Sequence, residues 1–137
     1  MQRRRVVGLL FAFAIAIAWG CDKRPTRSSV QGEVKLDGQP VDGGRITFIP
    51  AGAGVVPAQA PITGGKYQLT TGEGPSLGKC KVEIVWSKTT GRKINDPRLG
   101  AAEELKQVIP AKYNDKSTLS FEIKPGDNVY SVDLKSK

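Results

Sequence analysis

The chain has 137 residues, 21 basic and 13 acidic, for a formal net charge of +8. At this length one compact domain is expected, and 39% hydrophobic with 25% charged residues excludes a disordered polar tail. With no histidine in the sequence, Ser-His-Asp and Cys-His nucleophile systems and histidine-ligated zinc are excluded as well.

Residues 1–20 read as an export signal. Arg3, Arg4 and Arg5 precede an apolar run, VVGLLFAFAIAIAW, and no acid occurs before Asp22. A basic segment followed by an apolar one is the pattern of a secretory signal helix that is cleaved. The run falls short of the ~18–20 apolar residues that span a bilayer. It ends in Ala18-Trp19-Gly20-Cys21, which resembles the lipobox of bacterial lipoproteins. That resemblance implies a diacylglycerol on the Cys21 thiol, cleavage before Cys21, and acylation of the new amino group. A cleaved signal without lipid and an uncleaved anchor are the alternatives. Removing three arginines leaves 18 basic and 13 acidic residues, a net of +5. Residues 21–29 suit a tether, with Pro25, Thr26, Ser28 and Ser29 beside Lys23, Arg24 and Arg27, whose charges favour anionic headgroups.

From Val30 the pattern becomes short alternating runs separated by Gly, Pro, Asn and Asp, the signature of an all-β sandwich of about seven strands. The first run, 30–36, directs Val30, Gly32, Val34 and Leu36 to one face, and Asp37-Gly38 turns the chain. Gly43 and Gly44 prepare a second run, 45–49, with Ile46 and Phe48 inward and Pro50 as the stop. Residues 55–62 form a poor edge strand, since Pro57 and Pro61 lack ladder donors. Residues 66–70 and 79–87 follow, the latter placing Cys80, Val82, Ile84 and Trp86 on one apolar face. If Cys21 carries lipid, Cys80 has no disulfide partner, and its place on that face predicts a small buried hydrophobe.

Residues 88–117 then make a long connection. Within it Ala101-Ala102-Glu103-Glu104-Leu105-Lys106-Gln107 predicts a short helix, acidic early and basic late as the helix dipole favours. A connection of this length either covers an end of the sandwich or binds a partner. Its Arg92, Lys93, Arg98 and Lys112 face either an acidic wall polymer or water alone, and Tyr113 is the aromatic best placed for exposure, unless its turn tucks the ring beneath the loop. Residues 118–124 put Leu119, Phe121 and Ile123 on one face, and 129–134 closes the domain.

The order Val30-x-Gly32-x-Val34-x-Leu36-Asp37-Gly38-x-Pro40-Val41-x-Gly43-Gly44-x-Ile46-x-Phe48-x-Pro50 resembles the opening of carboxypeptidase regulatory-like, or transthyretin-like, domains. Gly65-Lys66-Tyr67-Gln68-Leu69, Gly78-Lys79-Cys80-Lys81-Val82, Ile109-Pro110-Ala111-Lys112-Tyr113-Asn114 and Lys124-Pro125-Gly126-Asp127-Asn128 are similar to further pieces of small bacterial lipoproteins built on that domain. The resemblance covers 30–137 and implies an immunoglobulin-like or transthyretin-like sandwich without catalysis. An acidic residue often precedes the Gly-x-aromatic element in that family, and Ile62-Thr63-Gly64 offers none, so no cation is expected there.

These readings converge on a lipid-anchored, non-catalytic module of the cell envelope, on the cell membrane or outer membrane and facing the periplasm or exterior. Its expected partners are the membrane, through Cys21, and an envelope protein or polysaccharide, with Tyr113, Lys112, Arg92 and Arg98 as candidate contacts. No cofactor, metal or nucleic acid is expected, because the basic residues are spread without aromatic interleaving. The alternative is an accessory or polysaccharide-binding component of an envelope enzyme or secretion complex.

Overall fold

The computed structural model describes residues 26–137, apart from Ala53 and Leu99. The signal segment, Cys21 and the first part of the tether therefore lie outside the described residues.

The fold is an all-β sandwich of two sheets. In the first, β1 (Val30–Leu36) is central. Along one side it pairs antiparallel with β2 (Gln39–Pro40) and β5 (Lys66–Leu69). Along the other it pairs parallel with β10 (Asn128–Val129) and β11 (Val132–Leu134). The second sheet is antiparallel, in the order β4 (Ala58–Pro61), β3 (Arg45–Pro50), β6 (Gly78–Val85), β9 (Ser120–Ile123). The prolines of 57–61 confine β4 to the sheet edge, as Pro-bearing strands require.

Alternation dictates what each strand buries. Val30 and Val34 of β1, Tyr67 and Leu69 of β5, and Leu134 of β11 face Ile46 and Phe48 of β3, and Cys80, Val82 and Ile84 of β6. All of these are at most 4% exposed. Burying each large side chain stabilises the fold by about 1.5–3 kcal/mol relative to leaving it in water. Phe48 also meets the ring of Tyr130 edge-on at 6.1 Å, and Tyr130 in turn packs on Phe121 at 4.9 Å.

The closing run differs from the continuous strand expected over 129–134. It breaks at Tyr130 and Ser131, and the break lies over Gly32 in β1. A Cβ on Gly32 would stand 1.9 Å from the Tyr130 carbonyl oxygen, so only glycine admits that approach. Three hydrogen bonds pin the irregularity in place. Tyr130 N–H donates to the Gln31 carbonyl (2.9 Å), Glu33 N–H to Ser131 Oγ (3.0 Å), and the Tyr67 hydroxyl to the Tyr130 carbonyl (2.6 Å). Burial pushes the pKa of both tyrosines up, so the Tyr67 hydroxyl keeps the proton it donates.

The structure corrects the reading of the long connection. Residues 101–107, expected as a helix, form β8 (Gly100–Gln107), paired antiparallel with β7 (Ser87–Asp96). The one short helix in the connection is instead a 3-10 turn, Ala111–Tyr113. Helix propensity differences of a few tenths of a kcal/mol per residue yield to a long antiparallel ladder. The covering expected of 88–117 is supplied only by its second part, where Ile109, Asn114 and Ser117 are buried. The residues expected as the end of the tether, 26–29, lie against the sandwich, with Ser28 2% exposed.

Candidate functional site

The β7–β8 hairpin is an arm. Its two strands pair only with each other, in register from Ser87 opposite Gln107 to Asp96 opposite Gly100, with a shift between Thr89 and Lys93. None of the arm's described residues is buried. Leu105 is 65% exposed, while Ile94 and Ala102, opposite each other in the ladder, are half-buried. At the tip the Asp96 carboxylate accepts the Arg98 N–H (2.7 Å) and shapes the turn.

The arm's base is built with care. Trp86 links β6 to β7, is half-buried, and sits on Gly43 and Gly44. A Cβ on Gly43 would lie 2.7 Å from Trp86 Nε1, and one on Gly44 would lie 2.1 Å from the Val85 carbonyl oxygen. Gly44 also has φ +86°, so both its space and its backbone demand glycine. The Gln107 side-chain carbonyl accepts the Trp86 N–H (2.8 Å) and the Ile109 N–H (3.4 Å). Val108 N–H donates to the Trp86 carbonyl (2.7 Å) and closes the neck.

Charge is unevenly balanced along the arm. Lys88, Arg92, Lys93, Arg98 and Lys106 face Asp96, Glu103 and Glu104. Arg92 is 3.8 Å from Glu104, which also accepts the Thr90 hydroxyl (2.9 Å), and Lys93 stands opposite Glu103. Lys88 stands opposite Lys106, and like charges in that position repel. The Lys88 ammonium lies 4.1 Å over the Trp86 ring, which offsets part of that repulsion. The neck thus presents two lysines beside an indole, an arrangement complementary to an anion.

The four residues singled out in the sequence divide between two elements. Arg92 and Arg98 are exposed on the arm. Lys112 and Tyr113 belong to the 3-10 turn, where both are turned toward the chain's last residues. The Tyr113 hydroxyl accepts the Lys135 N–H (3.0 Å), and the Lys112 ammonium donates to the Lys137 carbonyl (3.1 Å). Tyr113 is half-buried and packs on the core, so its ring is tucked under and is no free stacking platform. The residues the sequence reading missed are Trp86, there taken as core, with Lys88 and Lys106. Their only signal was the spacing of two lysines that become opposite once the hairpin closes.

Elsewhere the chemistry is quiet. Among the described residues no group of three or more His, Cys, Asp or Glu is placed to hold a metal. Cys80 is 0% exposed, and burial pushes its thiol pKa up, away from the reactive thiolate. An open trough of about 680 Å³ crosses the outer face of β1 and β5, past Gln31, Glu33, Lys66 and Gln68. Its carboxylate, Glu33, is engaged by Lys35 at 3.7 Å and Lys66 at 4.0 Å.

No protein-family model matches this chain, and no curated protein matches it. Among solved structures, a 9R-lipoxygenase from Cyanothece PCC8801 is similar at a TM-score of 0.39 and 7% identity. The alignment covers 82% of this chain and 17% of that one, so the chain spans under a fifth of the lipoxygenase's length. That likeness is too loose to assign a fold relationship or an activity.

Proposed function

We propose that this protein is an exported, non-catalytic β-sandwich, held to a bacterial membrane by lipid on Cys21, that grips an anionic envelope polysaccharide with the β7–β8 arm. The anchor is supported by the signal-like segment 1–20 and the Ala18-Trp19-Gly20-Cys21 sequence. The motif order over 30–137 supports kinship with the carboxypeptidase regulatory-like lipoproteins. The observation that carries the binding role is the arm itself: a ribbon with an excess of basic residues, none of whose described residues is buried or belongs to the core. An isolated two-stranded hairpin is marginally stable in water, so an exposed one gains stability from what it contacts.

Two measurements test this reading. The intact mass of the amino-terminal peptide from native membranes should show Cys21 with an added diacylglycerol. Detergent-solubilised protein should cosediment with isolated cell-wall polysaccharide and be released as salt rises, because exposed charges are screened beyond about 8–10 Å at physiological salt. Charge reversal at the neck, Lys88→Glu with Lys106→Glu, should abolish cosedimentation while leaving the circular dichroism spectrum unchanged. Full cosedimentation of that variant would refute the arm as the binding element.

A further inference from the structure

The place where the chain enters the sandwich decides which end meets the anchor. Leu77 N–H donates to the Thr26 carbonyl (3.0 Å) and Ser28 N–H to the Pro75 carbonyl (3.2 Å), clamping residues 26–29 to the loop before β6. β6 starts at Gly78, beside that clamp, and runs to Val85, next to the base of the arm. A strand of that length covers about 26 Å. Tether and arm therefore leave the sandwich at opposite ends. From Cys21 to Thr26 the chain reaches at most about 18 Å, so a lipid on Cys21 keeps the clamped end close to the bilayer.

That end also carries an uncharged loop, 51–57, of sequence AGAGVVP. Ala51 N–H donates to the Lys79 carbonyl (3.1 Å), which sets the loop beside the start of β6. Val56 there is 65% exposed, and Leu77 is 37% exposed. Arg27, Lys79 and Lys124 belong to the same end. Its acids are Glu73, which accepts the Thr70 hydroxyl, Asp127, which accepts the Ser29 hydroxyl, and Glu122, opposite Lys79 on β9, so basic and acidic residues balance there.

We propose that this end docks on the membrane surface, with Val56 and Leu77 entering the boundary between headgroups and acyl chains and the arm directed away from the bilayer. The proposal rests on the Cys21 anchor proposed above. A short tether supplies the high local concentration that lets a small exposed apolar contact settle at the bilayer surface. The same geometry sets the arm's partner at a distance from this membrane, in the envelope space.

The test uses the lipidated protein in vesicles of phosphatidylethanolamine and phosphatidylglycerol. An environment-sensitive fluorophore is attached in turn to Val56→Cys, Leu77→Cys and Arg98→Cys; Cys80, 0% exposed, is shielded from labelling. Lipids carrying a shallow nitroxide should quench the labels at positions 56 and 77 several-fold more than the label at the arm tip. Equal quenching at all three positions, or stronger quenching at 98, in protein that floats with the vesicles overturns the docking and leaves the anchor standing. Protein that does not float with the vesicles overturns the anchor and the docking together.

Discussion

Gly32 shows how a single position governs the join between the first and last strands. The Tyr130 carbonyl occupies the space a side chain would need, and the Tyr67 hydroxyl completes its hydrogen bonding. In Gly32→Ala the added Cβ, 1.9 Å from a backbone oxygen, meets an atom that cannot swing aside. The closing run must then shift, breaking the Tyr130–Gln31 bond as well. A loss of about 2–4 kcal/mol, of the size seen when cores are overpacked or buried polar groups lose partners, is expected in urea unfolding. Tyr67→Phe removes one bond only and should cost about 1–2 kcal/mol, leaving the Tyr130 carbonyl short of a donor. A Gly32→Ala variant as stable as the parent would mean that the closing run adapts freely.

At the scale of elements, the arm and the sandwich differ in kind. Most strands of the sandwich are held by a ladder and by side chains in the shared core, whereas β7 and β8 have their mutual ladder and surface contacts such as Arg92–Glu104, with no described side chain in the core. Local opening is easiest where few apolar contacts must be broken. Amide exchange should therefore be fast throughout 88–106 and slow in β1, β3 and β6, with protection rising again at the Trp86–Val108 neck. Gln107→Ala withdraws the acceptor shared by Trp86 and Ile109, and should raise exchange at both without moving the global unfolding midpoint. Binding to the envelope polymer should slow exchange across the arm. Protection in the free arm equal to that of β6 would show that it is supported by more than its own pairing.

Across the whole molecule, the chain's last residues are tied back to the turn after β1 by carboxylates. Asp133 lies below its ordinary pKa of 3.8 because it accepts from the Lys135 ammonium and from Gly38 N–H (2.9 Å). Asp37 is likewise lowered, by hydrogen bonding from Ser136 (3.1 Å). A carboxyl with a depressed folded pKa contributes stability that is complete above its unfolded value and is lost as pH falls through the folded one. The tie should thus hold at neutral pH and loosen below about pH 4. Backbone amide signals of Gly38 and Ser136, followed by NMR on acidification, should shift together in that window. In Asp133→Ala the Gly38 shift should vanish while that of Ser136 persists. The tie lies at the end of β1 opposite the tether, so acid release should leave the contact between 26–29 and 75–77 intact.

Much of the sandwich was determined locally. Strict alternation in 30–36, 45–49 and 79–85 put Val30 and Val34, Ile46 and Phe48, and Cys80, Val82 and Ile84 on inner faces, because a strand's period of two is a property of its own backbone. The prolines near 57–61 likewise marked an edge strand. The tertiary structure alone decided what depends on partners far along the chain. Ala101-Ala102-Glu103-Glu104-Leu105-Lys106-Gln107 has helix-forming composition, and becomes a strand only because 87–96 closes a ladder on it. Tyr113 reads as exposed until the chain's end returns to meet its hydroxyl. Arg92 and Arg98 were legible as charges in a long connection. The Lys88–Lys106 pair beside Trp86 exists only once the hairpin has paired, and the separation of arm from tether only once β6 has crossed the sandwich. Pairing across the chain, rather than propensity within it, made the candidate site.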